Sequence, residues 1–295
     1  MFTKEIEMKI VPMTSSIGAE IIGANLEKLS ETEFEKIHDA FTKHLVLFFR
    51  DQDELSPETQ ISFAKRFGDL HYHPAAPKSK KYPELFVIHS HKDSKFADGN
   101  GWHTDVSCDS EPPLGSCLQL HVLPSTGGDT LFASMYAAFE TLSSTMQKFL
   151  STLTAIHESE HLYRGRYEER GVDDTDTIYP TAEHPLIRTH PVSGRQSIYV
   201  NPSFTTKIKD LSRSESKSLL SFIYNHQQRP EFQVRFRWSK NAIAFWDNRC
   251  TQHFALWDYW PDERKGNRVT IKGEKPFYKP SQLVESKLKI SDRNN

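Results

Sequence analysis

Cysteine is scarce: three residues in 295, Cys108, Cys117 and Cys250, with no CxxC spacing and an odd total. That excludes a disulfide framework and leaves idle thiols of the kind a reducing cytoplasm tolerates. An excess of either charge is missing too. The 37 Lys and Arg against 39 Asp and Glu leave a formal net charge of −2, which removes the bulk electrostatics that a nucleic-acid or anionic-membrane partner would need. No apolar run approaches the roughly 20 residues of a membrane span. The opening "MFTKEIEMKI" is too charged for the core of a signal peptide. Internal repeats, low-complexity tracts and Pro/Gly/Ser-rich linkers are absent as well. The expectation is one cytoplasmic domain over residues 1–283, ample to bury a core, with a polar tail over 284–295.

What the chain does have is periodicity. In "SETEFEKIHDAF", Ser30 and Glu33 form a capping box, and Phe34, Ile37 and Phe41 share one helical face. The buried strand "HLVLFF" (44–49) follows. "SPETQISFAKRFG" reads as a second helix, capped by Ser56, with Pro57 in its first turn and Gly68 at its stop. A third helix is expected from about Ser134 to Leu153, and a fourth from the Ser212/Glu215 capping box. Late in the chain strands dominate: "QSIYVN" (196–201), "FQVRFRW" with its strict alternation, "NAIAFWDN" (241–248) and "RVTIKG" (268–273). Helices in front and strands behind, without a βαβ rhythm, predict an α+β protein with a largely antiparallel sheet system. "HPAAPKSKKYP" (73–83) and the charge-dense "HESEHLYRGRYEERGVDDTDT" (157–177) read as mobile loops, the second long enough to be a lid.

The chemistry-bearing stretch is "NGWHTDVSCD" (100–109), with His103 and Asp105 two positions apart. A shuffled chain with 14 His and 17 Asp would hold about one His-x-Asp spacing by chance, and His91-Lys92-Asp93 supplies a second. Residues i and i+2 of a strand share a face, so one cation could contact both side chains. A third ligand from elsewhere would complete a 2-His-1-carboxylate triad, which leaves three positions of an octahedral iron open. His253 in "WDNRCTQHFALWDY", just beyond a strand, is the candidate. His103/Asp105 stands on a strand lip, whereas His91/Asp93 opens a polar loop. On spacing alone, a metal site and a structural role both stay open.

Longer stretches carry more. "FFRDQ", "FAKRFGDLHYHP", "GWHTDVS", "LPSTGGDTLF", "RTHPVSGRQSIYVNPSFTT", "PEFQVRFRW" and "FWDNRCTQHFALWDY" occur in order between "SIGAEIIGANL" (16–26) and "GEKPFY" (273–278). Over that span the chain resembles the taurine dioxygenase family of non-haem iron(II), 2-oxoglutarate-dependent oxygenases. The resemblance implies a double-stranded β-helix, or jelly-roll, core with flanking helices, and iron(II) held by His103, Asp105 and His253. It makes 2-oxoglutarate and O2 the cosubstrates, with Arg264 forking onto the far carboxylate and the Thr130 hydroxyl assisting. Arg268 and His73 correspond to the pair that holds a sulfonate, Phe204 to an aromatic wall, and Asp98 to the acid that greets an amine.

Three positions depart from the family: Gly99 replaces an Asn, Ala76 a Tyr, and Tyr163 stands for a pocket Phe. The first two are expected to widen the end of the pocket away from the anion. The implied activity is hydroxylation of a small sulfonate, taurine or a related alkanesulfonate, at the carbon bearing sulfur, giving sulfite and an aldehyde with succinate and CO2. An alkyl sulfate ester or a small carboxylate is the alternative substrate, and a non-catalytic metal-binding jelly roll the alternative class. The expected partner is a small anionic organic molecule, with neither nucleic acid nor membrane; a dimer or tetramer is compatible with the sequence.

Overall fold

The computed structural model describes residues 7–78 and 81–280; the polar tail expected at 284–295 lies outside them. Its largest sheet runs in the order Lys9–Pro12, Ala19–Ile22, Val46–Phe49, Ile243–Asp247, Gly115–Val122, Arg264–Ile271 and Leu70–His71, with Leu85–Ser90 also paired to Arg264–Ile271. One pairing in it is parallel, Ala19–Ile22 with Val46–Phe49, and the helix Glu31–His44 makes that crossover. A three-stranded sheet, Gln233–Phe236, Thr130–Ser134 and Thr251–Ala255, is antiparallel throughout. Phe48 and Trp246 from the large sheet meet Phe132 and Phe236 from the small one. Phe48 stacks on Phe236 with ring centroids 4.1 Å apart, and Phe132 lies 5.6 Å from Trp246. This is the largely antiparallel two-sheet sandwich of a jelly roll.

The central strands Val46–Phe49 and Ile243–Asp247 read as nearly continuous apolar runs because both of their faces are covered. In Val46–Phe49, Val46 and Phe48 face the small sheet, while Leu47 and Phe49 face the outer helices. Phe245 alternates with Trp246 in the same way and stacks on Phe41 of the first helix at 4.1 Å. Both expected capping boxes form, at Ser30/Glu33 and Ser212/Glu215, and the second opens the helix Arg213–Gln227. Among the described residues, no helix is long and apolar enough to cross a membrane.

Four expectations about elements are corrected. The single helix from Ser134 to Leu153 is two, Met135–Glu140 and Ser144–Leu150. The break falls where Thr141 turns its hydroxyl onto the Ala137 carbonyl and Ser143 caps the next helix through Met146 N–H. The 157–177 segment is a folded cap holding the helix Glu160–Tyr163 and the 3-10 turn Glu168–Arg170, tied internally by Arg164 to Glu160 and by Gly165 N–H to Asp174. His253 lies inside the strand Thr251–Ala255 rather than beyond one. His103 forms only an isolated bridge to His253, and Asp105 begins a turn, so strand alternation does not bring this pair together.

Candidate active site

His103 and His253 exchange backbone hydrogen bonds, 3.1 Å from His103 N–H and 2.8 Å from His253 N–H. That bridge sets the two imidazoles 4.0 Å apart at their centroids. Asp105, two residues on, begins the turn that follows, in which Val106 takes φ +46. Its Oδ1 lies 3.7 Å from His103 Nε2 and 3.9 Å from His253 Nε2. The ligating atoms of the three residues fall within 4.8 Å of one another, a spacing that could hold one metal ion. A second such cluster, His190, Asp247 and Cys250, is already saturated: Arg249 chelates Asp247 through two nitrogens, and His190 takes the same carboxylate.

The donors are prepared. His103 Nδ1–H donates to the Gly101 carbonyl at 2.8 Å, which leaves the Nε2 lone pair facing Asp105. Asp105 Oδ2 accepts from Ser116 at 2.7 Å and from Asn248 at 3.4 Å, so Oδ1 is the oxygen that looks into the site. Burial alone would raise the Asp105 pKa, but Arg268, His253, His103 and the Ser116 hydroxyl hold it well below the usual carboxylate range. Burial and the neighbouring His103 push His253 well below the ordinary histidine value, toward the neutral form that ligates metals. The pair His91/Asp93 forms no such site; it is an exposed contact at 3.7 Å.

Two guanidinia flank this centre, both buried and both on the strand Arg264–Ile271. Four residues apart on a strand, they share a face and stand roughly 13 Å apart along it. Arg264 donates to the Gly128 carbonyl at 3.2 Å and to Thr130 Oγ1 at 3.3 Å, and Thr130 Oγ1 also accepts from Trp238 Nε1 at 3.0 Å. Among the described residues it has no carboxylate within ion-pair distance, and burial pulls its pKa down. Arg268 donates to Asp105 Oδ1 at 2.6 Å, while its buried Nε has no partner among the described residues. A buried cation with no ion-pair partner is costly, and Asp129, the carboxylate whose charge reaches Arg264, is itself paired with Arg235 at 2.7 Å.

Beyond Arg268 opens a cleft lined by His73, Tyr163, Phe204, Asp98 and Arg268 among others. The structure thus gathers the five residues expected around a substrate. His73 Nδ1 accepts from the N–H groups of Ala75 and Ala76, at 3.2 and 2.9 Å, so its Nε2–H is the free donor. Its ring stacks on Phe86 at 4.9 Å, and Tyr163 meets it edge-on at 5.1 Å. Ala76 is not in the lining of this cleft and borders a separate small pocket with His73 and Phe86. Gly99 sits at φ +81, and a Cβ there would come within 3.3 Å of His103 Cε1. Its lost side chain therefore frees space against His103 as much as against a substrate tail. Sequence reasoning named neither Ser116 and Asn248 nor Arg166, which enters the cleft from the cap; nothing in their local spacing marks them.

A largely antiparallel two-sheet sandwich with two imidazoles, one carboxylate and two buried guanidinia at its mouth is the architecture of the 2-oxoglutarate-dependent dioxygenases. The profile of the taurine catabolism dioxygenase TauD, TfdA family matches residues 9–270, and the chain belongs to that family. It is similar to the alpha-ketoglutarate-dependent sulfate ester dioxygenase of Pseudomonas putida, 34% identical with 96% of each chain covered. It is equally similar to the alpha-ketoglutarate-dependent sulfonate dioxygenase of Saccharomyces cerevisiae, 34% identical over 94% of this chain and 70% of that one. The solved taurine dioxygenase of Burkholderia xenovorans superposes with a TM-score of 0.78 at 32% identity, covering 92% of this chain and 93% of that one. The protein is accordingly an enzyme, a dioxygenase with 2-oxoglutarate (alpha-ketoglutarate) and O2 as cosubstrates.

Proposed function

We propose that this dioxygenase uses iron(II) to oxidise a small alkanesulfonate or alkyl sulfate ester at the carbon next to the anionic head. The observation that carries this reading is the pair of buried guanidinia, Arg264 and Arg268, on one strand face either side of the His103, Asp105 and His253 cluster. Two anion seats around one metal site suit a reaction of two anionic organic substrates. His103 Nε2, Asp105 Oδ1 and His253 Nε2 would hold the iron, since those atoms face one another and lack stronger protein partners of their own, Arg268 on Asp105 excepted. Bound iron(II) supplies the chemistry that couples O2 and 2-oxoglutarate decarboxylation to C–H hydroxylation. Arg264 and Thr130 take the far carboxylate of 2-oxoglutarate. Arg268, with its spare Nε–H, and His73, with its free Nε2–H, grip the tetrahedral anion and hold one carbon toward the iron.

The testing experiment is a panel of sulfonates, sulfate esters and carboxylates, scored by substrate-dependent succinate. A hydroxylated sulfonate collapses to an aldehyde and sulfite; a hydroxylated sulfate ester gives an aldehyde and sulfate. Arg268→Ala is expected to lower kcat/KM for every accepted member by roughly 30-fold or more, the cost of stripping a buried anion of its partner. The affinity for 2-oxoglutarate should stay near the parent value. Succinate release on carboxylates alone would overturn the sulfur-anion reading.

Gly99 gives a separate check on the metal assignment. Gly99→Ala places a Cβ against His103 and forces an L side chain into a positive-φ conformation, costing about 1–2 kcal/mol in strain. Fe(II) affinity is expected to fall several-fold, while Ala76→Val, outside the cleft lining, leaves it unchanged. Equal affinities in the two variants would detach Gly99 from the metal site.

A further inference from the structure

Asp98 borders the cleft where the far end of a substrate would lie, yet its carboxylate is already engaged. Arg166 Nε and Nη2 both donate to Oδ1 at 3.2 Å, the Tyr167 hydroxyl donates to the same oxygen at 3.3 Å, and Arg170 Nη1 stands 3.9 Å from Oδ2. Arg166 is held from two further sides. Its Nη2 donates to the Ala97 carbonyl at 3.2 Å, and its guanidinium lies over the Phe96 ring at 4.1 Å. All three partners of Asp98 come from the cap segment 157–177, and the Asp98 side chain is only 13% exposed. One carboxylate set against two guanidinia leaves this end of the cleft with no spare negative charge.

We infer that Arg166 is a specificity-determining residue of the cleft: by occupying Asp98, it makes the site discriminate against anions with an ammonium-bearing tail and favour those with an uncharged tail. This rests on the sulfonate or sulfate ester reading above. An ammonium entering beside Asp98 has to displace Arg166 or lie against it, and like charges in a mostly buried setting repel strongly. An alkyl tail needs no counter-charge and meets Leu162, Tyr163 and Phe204.

Taurine and propane-1-sulfonate differ at the tail by an ammonium in place of a methyl, which makes them the matched pair for the test. With the full chain loaded with iron(II) and 2-oxoglutarate, the parent enzyme should prefer propane-1-sulfonate in kcat/KM by about tenfold or more, the worth of one charge-assisted contact. Arg166→Gln retains a donor for Asp98 and the Ala97 carbonyl but removes the charge. It should raise the ratio of taurine to propane-1-sulfonate by about tenfold, in KM rather than kcat. Adding Asp98→Asn to Arg166→Gln should abolish that gain. Anaerobic calorimetric binding of the two sulfonates should show the same order, a readout that needs no turnover. A parent preference for taurine, an unmoved ratio in Arg166→Gln, or a gain that survives Asp98→Asn overturns the role of Arg166. If the parent enzyme turns over neither sulfonates nor sulfate esters, the functional reading itself falls and the inference with it.

Discussion

Replacing His103, Asp105 or His253 with alanine is expected to abolish stoichiometric Fe(II) binding, and with it all substrate-dependent succinate, whereas His91→Ala leaves both intact. Each of the three supplies one of the ligand atoms that lie within 4.8 Å of one another, and among the described residues no further His, Cys, Asp or Glu joins the group. Removing one leaves two donors, and Asp105→Ala also leaves the Arg268 guanidinium buried without its carboxylate. Fold loss is the competing explanation for such variants, and Asp105→Asn addresses it. The amide keeps the volume and can still accept from Ser116, but it gives up the charge that draws a divalent cation. Circular dichroism should stay at the parent level while Fe(II) binding, followed by equilibrium dialysis, collapses. Stoichiometric binding by His103→Ala would break the assignment, and loss of binding in His91→Ala would shift it to the second His-x-Asp pair.

Arg264→Ala carries the second large effect. Arg264 contacts a hydroxyl, a carbonyl and an indole, and the carboxylate whose charge reaches it, Asp129, is already paired with Arg235, so a carboxylate held by Arg264 has to arrive with a ligand. Truncation should raise the dissociation constant for 2-oxoglutarate by roughly 30-fold or more, matching the 2–5 kcal/mol lost when one partner of a buried charged pair is removed. Arg264→Lys keeps the charge without the planar fork and should fall between. Thr130→Val should cost about 1–2 kcal/mol, because Trp238 Nε1 and Arg264 both lose an acceptor. An anaerobic titration of the iron-loaded protein with 2-oxoglutarate measures all three. Normal affinity in Arg264→Ala would pass the cosubstrate role to another cation.

Asp98 shows how far a linear reading reaches. Its position near the cleft is what the family resemblance implies, and the structure places it in the lining. Its availability is not legible. Arg166 lies 68 residues away in a charge-dense stretch whose lack of apolar period suggested a loose loop. The cap is instead ordered by contacts it makes with the rest of the molecule. Tyr163 and Tyr167 are buried in the main core, and Arg166 crosses to Asp98. Whether a carboxylate greets an ammonium or is spent on a guanidinium depends on that crossing.

The local elements were set by the sequence alone. The Ser30/Glu33 and Ser212/Glu215 boxes each satisfy helix-terminal N–H groups within four residues, and the alternation in "FQVRFRW" marks the strand Gln233–Phe236, with Val234 and Phe236 buried, although Phe232 belongs to the 3-10 turn before it. Those signals involve short sequence separations, so they can be read in one dimension. The identity of the metal-binding candidates was also in the sequence, through the order of long stretches rather than the three-residue spacing. Only the tertiary structure decided how they meet. His103 reaches His253 across 150 residues through a two-bond bridge, and Asp105 meets both from the start of a turn instead of along a strand. Hydrogen bonds from Ser116 and Asn248 set which oxygen of Asp105 faces the site, and the fold gives Arg268 an ion-pair partner in Asp105 but Arg264 none among the described residues. Backbone pairing and burial fix those outcomes jointly, and no window of the chain contains both partners.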